Sequence, residues 1–359
     1  MNKKMGVLKV YRIFDIAHEV KLDKAYEKLK SLTILKKFSL NRPSKNMLFQ
    51  DPPLVVFLGD HSIENMKVAV TVKLWSYGAL SFSVDIECPF FVEKKELIEW
   101  VENWSQGDSV ENFCRERINF FVESLGDSLI KPKTWEQSEE YSIFVTSPKY
   151  HNKDYWLEDS FVYQLLAMEK NVKLSPAMLA PVIDCTISYG PDDLVAIDWD
   201  NAFVYSEVDG HDICDVIEFA NIQLLELRYF DDLLDKKLSG LYRQVVEKNP
   251  SVFSKISVLA KDASQLYFET SELVDRIENS VKVIGDIYYA RLFRICLKRL
   301  QVEQWQSLVD QKLKNLLDVS QMYMAEVNNH KSHLMEIVII VLIAIEVIPF
   351  VYNIILKLM

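Results

Sequence analysis

Carboxylates at short spacing are the residues of this sequence best suited to chemistry. Asp198 and Asp200 flank Trp199 and share one strand face, with Asp192 and Asp193 close by. Oxygen-rich clusters of this kind hold Mg²⁺ or Ca²⁺, so a metal-dependent enzyme using the Asp198/Asp200 face is one reading. Asp and Asn are also what a tight hairpin needs, and the spacing of a Ca²⁺-binding EF-hand loop is absent. Glu218, Asn221, Gln223, Glu226 and Arg228 form a second polar set. Glu218 and Asn221 could share one helix face for acid–base work. A long amphipathic helix requires a polar face anyway, and Arg228 has Asp231 and Asp232 within pairing reach along it. His330 and His333, three apart, could bind a metal or a headgroup phosphate, or form a polar collar at a membrane edge.

Glu346 is the sharpest single residue. It interrupts the run Ile337–Leu356, in which only Glu346, Pro349 and Asn353 depart from apolar or aromatic types. A carboxylate near the middle of a membrane helix costs ~2.5–3.5 kcal/mol on insertion scales, so it faces a partner or a wet cavity. One reading is a ring of Glu346 side chains from several copies that takes up protons or ions. The other is an interhelical hydrogen bond that specifies association. Both require more than one copy, or a partner protein.

Composition narrows the classes further. The 359 residues are 49% hydrophobic and 26% charged, a globular make-up, with a net charge of −11. An acidic chain is a poor match to a phosphate backbone, so no nucleic-acid partner is expected. Nine glycines with no GxG pattern exclude glycine-rich phosphate loops. The five cysteines are scattered and never in CxxC, which fits free thiols in a reducing compartment. No GxSxG or HExxH motif is present. The sequence therefore predicts no catalytic residue, no cofactor and no bound metal.

These residues must be positioned by a mixed α and β segment, residues 1–208, then a helical one. Strands are expected at Leu8–Phe14, Leu54–Leu58, Val68–Trp75, Leu80–Ile86, Tyr141–Thr146, Leu194–Asp198 and Phe203–Ser206. Ser76–Ala79 and Trp199–Ala202 read as hairpin turns. Helices are expected near Leu22–Leu32, Lys94–Trp104, Val110–Leu125 and Ser160–Lys170. Strands in hairpins mixed with helices indicate α+β. From Ile213 the period changes, and apolar residues recur at steps of four and three through Leu224, Leu227, Asp231 and Leu234 to Val245. That is a coiled-coil-like seam, with Asp231 as a device for register or partner choice. After a break at Asn249-Pro250-Ser251, a second long helix is expected on Leu259, Leu266, Leu273, Ile277, Val281, Ile284 and Leu292. A third, on Trp305, Val309, Leu313 and Leu316, runs without Pro or Gly into the apolar end. The expected division is residues 209–333 as an antiparallel three-helix stalk and 334–359 as one transmembrane anchor. Twenty helical residues span ~30 Å, the thickness of a bilayer core. The N-terminal residues lack a secretory pattern, so the bulk of the chain is expected on the cytoplasmic side of a bacterial inner membrane, or less well of a mitochondrial one.

Asn328-Asn329-His330-Lys331-Ser332-His333-Leu334-Met335-Glu336 running into the apolar helix resembles the ending of the "required for meiotic nuclear division" family of membrane-anchored proteins. Asp198-Trp199-Asp200 and Glu218-Phe219-Ala220-Asn221 through Gln223–Tyr229 are similar to its bacterial relatives. Met335 stands where a basic residue is more usual, which points to a bacterial-type member. The resemblance implies membrane anchoring, oligomerisation and, in mitochondria, support of translation; it carries no catalytic residues. Together these features predict a tail-anchored, oligomeric scaffold or tether, whose partners are the lipid bilayer, further copies of itself and an unknown protein. Glu336, Glu346, His330 and His333 are its anchor and association residues. The rival class is ion transport: the outline resembles CorA-like magnesium transporters. That family has two membrane helices and a Gly-Met-Asn motif, against one helix and no such motif here.

Overall fold

The computed structural model describes residues 4–30, 34–37, 47–49, 52–133, 135–207, 210–246, 281–283 and 287–358, with scattered helical residues between 261 and 272. The strands are β1 (Lys4–Asp15), β2 (Ala17–Val20), β3 (Ile34–Lys37), β4 (Met47–Phe49), β5 (Leu54–Ile63), β6 (Met66–Leu74) and β7 (Ala79–Pro89). They continue with β8 (Leu129–Pro132), β9 (Ser138–Thr146), β10 (Thr186–Ile187), β11 (Leu194–Ile197), β12 (Asn201–Tyr205) and β13 (Val281–Val283). Nine of them form one sheet in the order β10-β11-β12-β9-β1-β7-β6-β5-β3. β12 runs parallel to β9, and the other pairs described in this sheet are antiparallel. The fold class is α+β, with both expected hairpins, β6–β7 and β11–β12, in place.

The sheet has two unlike faces because side chains alternate along each strand. On one face Leu8, Val10 and Phe14 of β1 sit beside Phe82, Val84 and Ile86 of β7 and Val68, Val70 and Val72 of β6, all buried. Helices α2 (Lys94–Gln106) and α3 (Asp108–Leu125) cover this face with Leu97, Ile98, Val101, Val110, Phe113 and Phe121. Each such side chain stabilises the fold by roughly 1.5–3 kcal/mol on full burial. The smaller helices are α1 (Leu22–Leu29), α4 (Lys153–Leu157), α5 (Phe161–Leu166) and α6 (Pro176–Ile183). The opposite face is covered by the first half of α7 (His211–Val246), where every residue from Val216 to Leu227 is buried: Phe219, Ala220, Ile222 and Leu225 have no exposure.

The chain divides into two compact units, residues 1–229 with 273–306, and residues 230–272 with 307–359. Leu224 and Leu227 of the expected seam are core residues of the first unit, whereas Asp231 and Leu234 belong to the second. In the second unit Leu234, Leu238, Val309, Leu313 and Leu316 are buried, and Lys312 pairs with Asp231 at 2.6 Å and Asp235 at 2.7 Å. The expected second long helix is not continuous. Val281–Val283 is a strand paired with Met47–Phe49, and a separate helix, Ile287–Arg299, follows. Val281 and Val283 are β-branched and suit an extended backbone, which a reading of helical spacing alone overlooks. Leu259, Leu266, Leu273, Ile277, Ile284 and the break at residues 249–251 lie outside the described residues. A single helix, Val302–Leu358, contains the expected third helix and the apolar end. Its stretch Lys331–Pro349 is long and apolar enough to cross a membrane and is wholly unburied.

Candidate functional site: an ion network beneath the long helix

The sheet face under α7 is the unusual one. Strand register puts Lys9 beside Asp85, Tyr11 beside Ser83 and Tyr141, and Lys73 beside Ser81, all on that face. A strand at the centre of a sheet covered on both sides would ordinarily be apolar on both. Here each charge has a counter-charge. Lys9 Nζ donates to Asp85 Oδ2 at 2.5 Å, and Ser83 donates to the other Asp85 oxygen at 2.9 Å. Lys73 donates to both Asp215 and Glu218, which project from the first turns of α7. Burial pushes the Lys73 ammonium down, but the two carboxylates outweigh it and hold the lysine above its usual range.

Two turns further along α7, Glu226 meets a different arrangement. Lys133 donates to Asp15 and lies 3.6 Å from Glu226, so one ammonium serves two buried carboxylates. Glu226 is fully buried, and among the described residues neither of its oxygens meets a hydrogen-bond partner, nor does Asp15 Oδ1. Burial, then the Asp15 charge, push the Glu226 carboxyl up to about 8 against the pull of Lys133. Burial also raises Asp15, to about 6, with Lys133 pulling the other way. A net negative charge in such a place is removed by taking up a proton. Both carboxyls are therefore driven toward the protonated form, Glu226 more strongly than Asp15.

The turn between β6 and β7 braces this end of the network. Gly78 has φ of +104°, and a Cβ there would stand 1.7 Å from the Ala17 carbonyl oxygen. Glycine alone allows that approach. Trp75 and Tyr77 of the turn stack with ring centroids 5.7 Å apart, and both rings pack on Phe219 of α7. On the far side of the sheet a fully buried Arg12 ties the α2–α3 junction. It donates to Ser105 O at 2.9 Å and pairs with Glu111 and Glu140, each at 3.2 Å.

The polar set read from the helix is thus divided. Glu218 and Glu226 serve separate ion clusters, and Asn221 donates to Ile217 O within the helix. Arg228 pairs with Glu139 of β9 at 2.6 Å, not with Asp231 or Asp232. These side chains form a buried face against the sheet where a solvated one was expected. Asp198 is held by Arg299, whose Nε lies 3.0 Å away, and accepts from Trp199 N at 2.7 Å. It shapes the β11–β12 turn, while burial raises Asp200. Among the described residues no group of three His, Cys, Asp or Glu could hold a metal. His333 Nδ1 lies 3.3 Å from Glu336, both exposed on the helix Val302–Leu358. The side chains of His330 and Glu346 lie outside the described set. A cleft of about 540 Å³ is lined by Val20, Tyr26, Pro53 and the charged Glu19, Lys21, Asp23 and Lys24, whose signs cancel.

Residues 5–212 match the family described as "Uncharacterized protein MJ0711, N-terminal domain". The chain belongs to that family. It is 27% identical over 259 residues to uncharacterized protein MJ0711 of Methanocaldococcus jannaschii, which covers 71% of this chain and 79% of the relative. No solved structure matches. The resemblance to the "required for meiotic nuclear division" family is thereby corrected. It rested on residues 140–359, chiefly a polar turn running into an apolar helix, and any membrane-anchoring helix imposes that composition. The MJ0711 N-terminal family match instead covers the α+β sheet, including Lys9, Asp15, Lys73, Asp85, Lys133 and Glu139 of the ion network. The sequence reading missed those six. For Lys9, Asp15, Lys73 and Asp85 the signal was a charge inside a strand with apolar neighbours on both sides, as for Lys9 between Leu8 and Val10; Lys133, after β8, and Glu139, between Ser138 and Glu140, carried no such signal.

Proposed function

We propose that this protein is a single-pass membrane protein that presents its α+β unit at a bilayer and works as a self-associating scaffold without catalysis. The observation that carries the reading is the Lys331–Pro349 helix, with mean hydropathy of 2.1 and no part of it buried. Ile337, Ile340, Leu342 and Ile345 are each more than half exposed, a surface that water disfavours and lipid accepts. Self-association is supported by Glu346, whose place inside the apolar run calls for a partner. A structural role for the ion network is supported by its depth, since Glu218, Glu226 and Asp15 sit where a substrate would not reach them. Five buried thiols, all unpaired, support a reducing compartment for the α+β unit.

The test is fractionation of cells expressing the full chain and a variant lacking residues 331–359. The full chain is expected in the membrane pellet, resistant to alkaline carbonate and released by detergent, with the variant in the supernatant. Release of the full chain by carbonate alone would overturn the reading.

A further inference from the structure

α6 (Pro176–Ile183) contains no polar side chain, yet it lies at the surface. Only Val182 is buried; Met178 is 65% and Ile183 48% exposed, and Pro176, Ala177, Ala180 and Pro181 also face outward. The helix is well made for its length. Ser175 caps it by accepting from Met178 N, and Pro176 occupies the first turn, where a missing N–H is harmless. A helix that is apolar all round belongs in a core or in lipid.

Its surroundings favour lipid. Val172, 63% exposed, and the exposed Lys173 lead into it. At its other end Ile197 N donates to Cys185 O, which ties the segment to the β11–β12 turn carrying Trp199, 45% exposed. Lysine and tryptophan are the side chains that settle at headgroup level.

We propose that α6 is a membrane-contact element that lies in the interfacial layer of a bilayer, with Met178 and Ile183 at the acyl boundary and Lys173 at the phosphates. This rests on the reading of Lys331–Pro349 as a span, which keeps the chain at a bilayer. Apolar side chains at a bilayer interface sit ~5–10 Å into the headgroup boundary; here the polar flank comes from the residues around α6, not from the helix itself.

The test is a spin label on Met178→Cys in the full chain, reconstituted in nanodiscs of phosphatidylcholine and phosphatidylglycerol. The five natural thiols are buried, so the label goes to the introduced cysteine. Ser62→Cys, on an exposed site of β5, is the aqueous control. The expected result is a several-fold lower collision rate with a water-soluble nickel chelate at position 178 than at 62, and a higher rate with oxygen. Equal nickel collision rates at the two positions would overturn the proposal while leaving the span intact. Dipolar broadening confined to position 178 would overturn it in favour of a second copy as occupant. Failure of the chain to enter the discs at all would overturn the span reading and this inference with it.

Discussion

Replacing Glu226 by Gln removes the proton-binding group from the most crowded part of the ion network and leaves its shape. In the native state the carboxyl is raised to about 8, whereas an unfolded chain would release its proton near the ordinary 4.5. Between those values the folded protein binds a proton that the unfolded chain does not, so stability falls as pH rises. The slope is about 1.4 kcal/mol per pH unit for one proton, or roughly 2–3 kcal/mol lost between pH 6 and pH 8. Asp15, raised to about 6, adds a loss of the same sign at lower pH. Glu226→Gln keeps a neutral side chain and leaves Lys133 to Asp15, so the difference between wild type and variant should grow in the variant's favour from pH 6 to pH 8. All seven tryptophans fall in the unit of residues 1–229 and 273–306, so their fluorescence reports this unit alone. Guanidinium unfolding of both proteins in mild detergent at pH 6, 7 and 8 gives the slopes. Parallel slopes, or a wild type that gains stability across this range, would refute the reading of a raised Glu226 carboxyl.

Lys73→Met strands Asp215 and Glu218 without their cation, and a cost of about 3–5 kcal/mol at pH 8 is expected, shrinking toward pH 5 as Glu218, raised by burial, takes up a proton; the same unfolding series checks it. Gly78→Ala combines a positive φ with a contact the Ala17 carbonyl cannot yield to, and should cost about 2–4 kcal/mol, read as a lower denaturation midpoint. Asp198→Asn should weaken the Arg299 pair by about 1–2 kcal/mol and leave Mg²⁺ and Ca²⁺ titrations by calorimetry unchanged; saturable metal binding lost in the variant would restore the metal-site reading.

The strands and hairpins were legible because period-2 runs such as Val68-Ala69-Val70-Thr71-Val72 end at turn residues with a required geometry, Gly78 above all. The sheet order was not legible, since β12 pairing in parallel with β9 is a long-range choice that no local pattern encodes. α7 was legible as a helix, but spacing alone does not tell a seam between helices from a face laid on a sheet. α7 carries more than one buried side: Glu218 and Glu226 meet Lys73 and Lys133, and Leu224 and Leu227 are buried on another side of the helix. The network went unread for a related reason. Glu218 and Glu226 look like a solvated stripe until Lys73 and Lys133, more than eighty residues away in sequence, are brought beneath them. Asp198 was legible as a turn residue, though its partner Arg299 was not.

The central claim, a self-associating membrane scaffold, is tested most directly by the mass of the full-length protein in mild detergent. Light scattering with the detergent contribution subtracted gives that mass. The account predicts one discrete oligomer, which Glu346→Ala weakens. A clean monomer over the concentration range would contradict it and leave Glu346 without a like partner in the membrane.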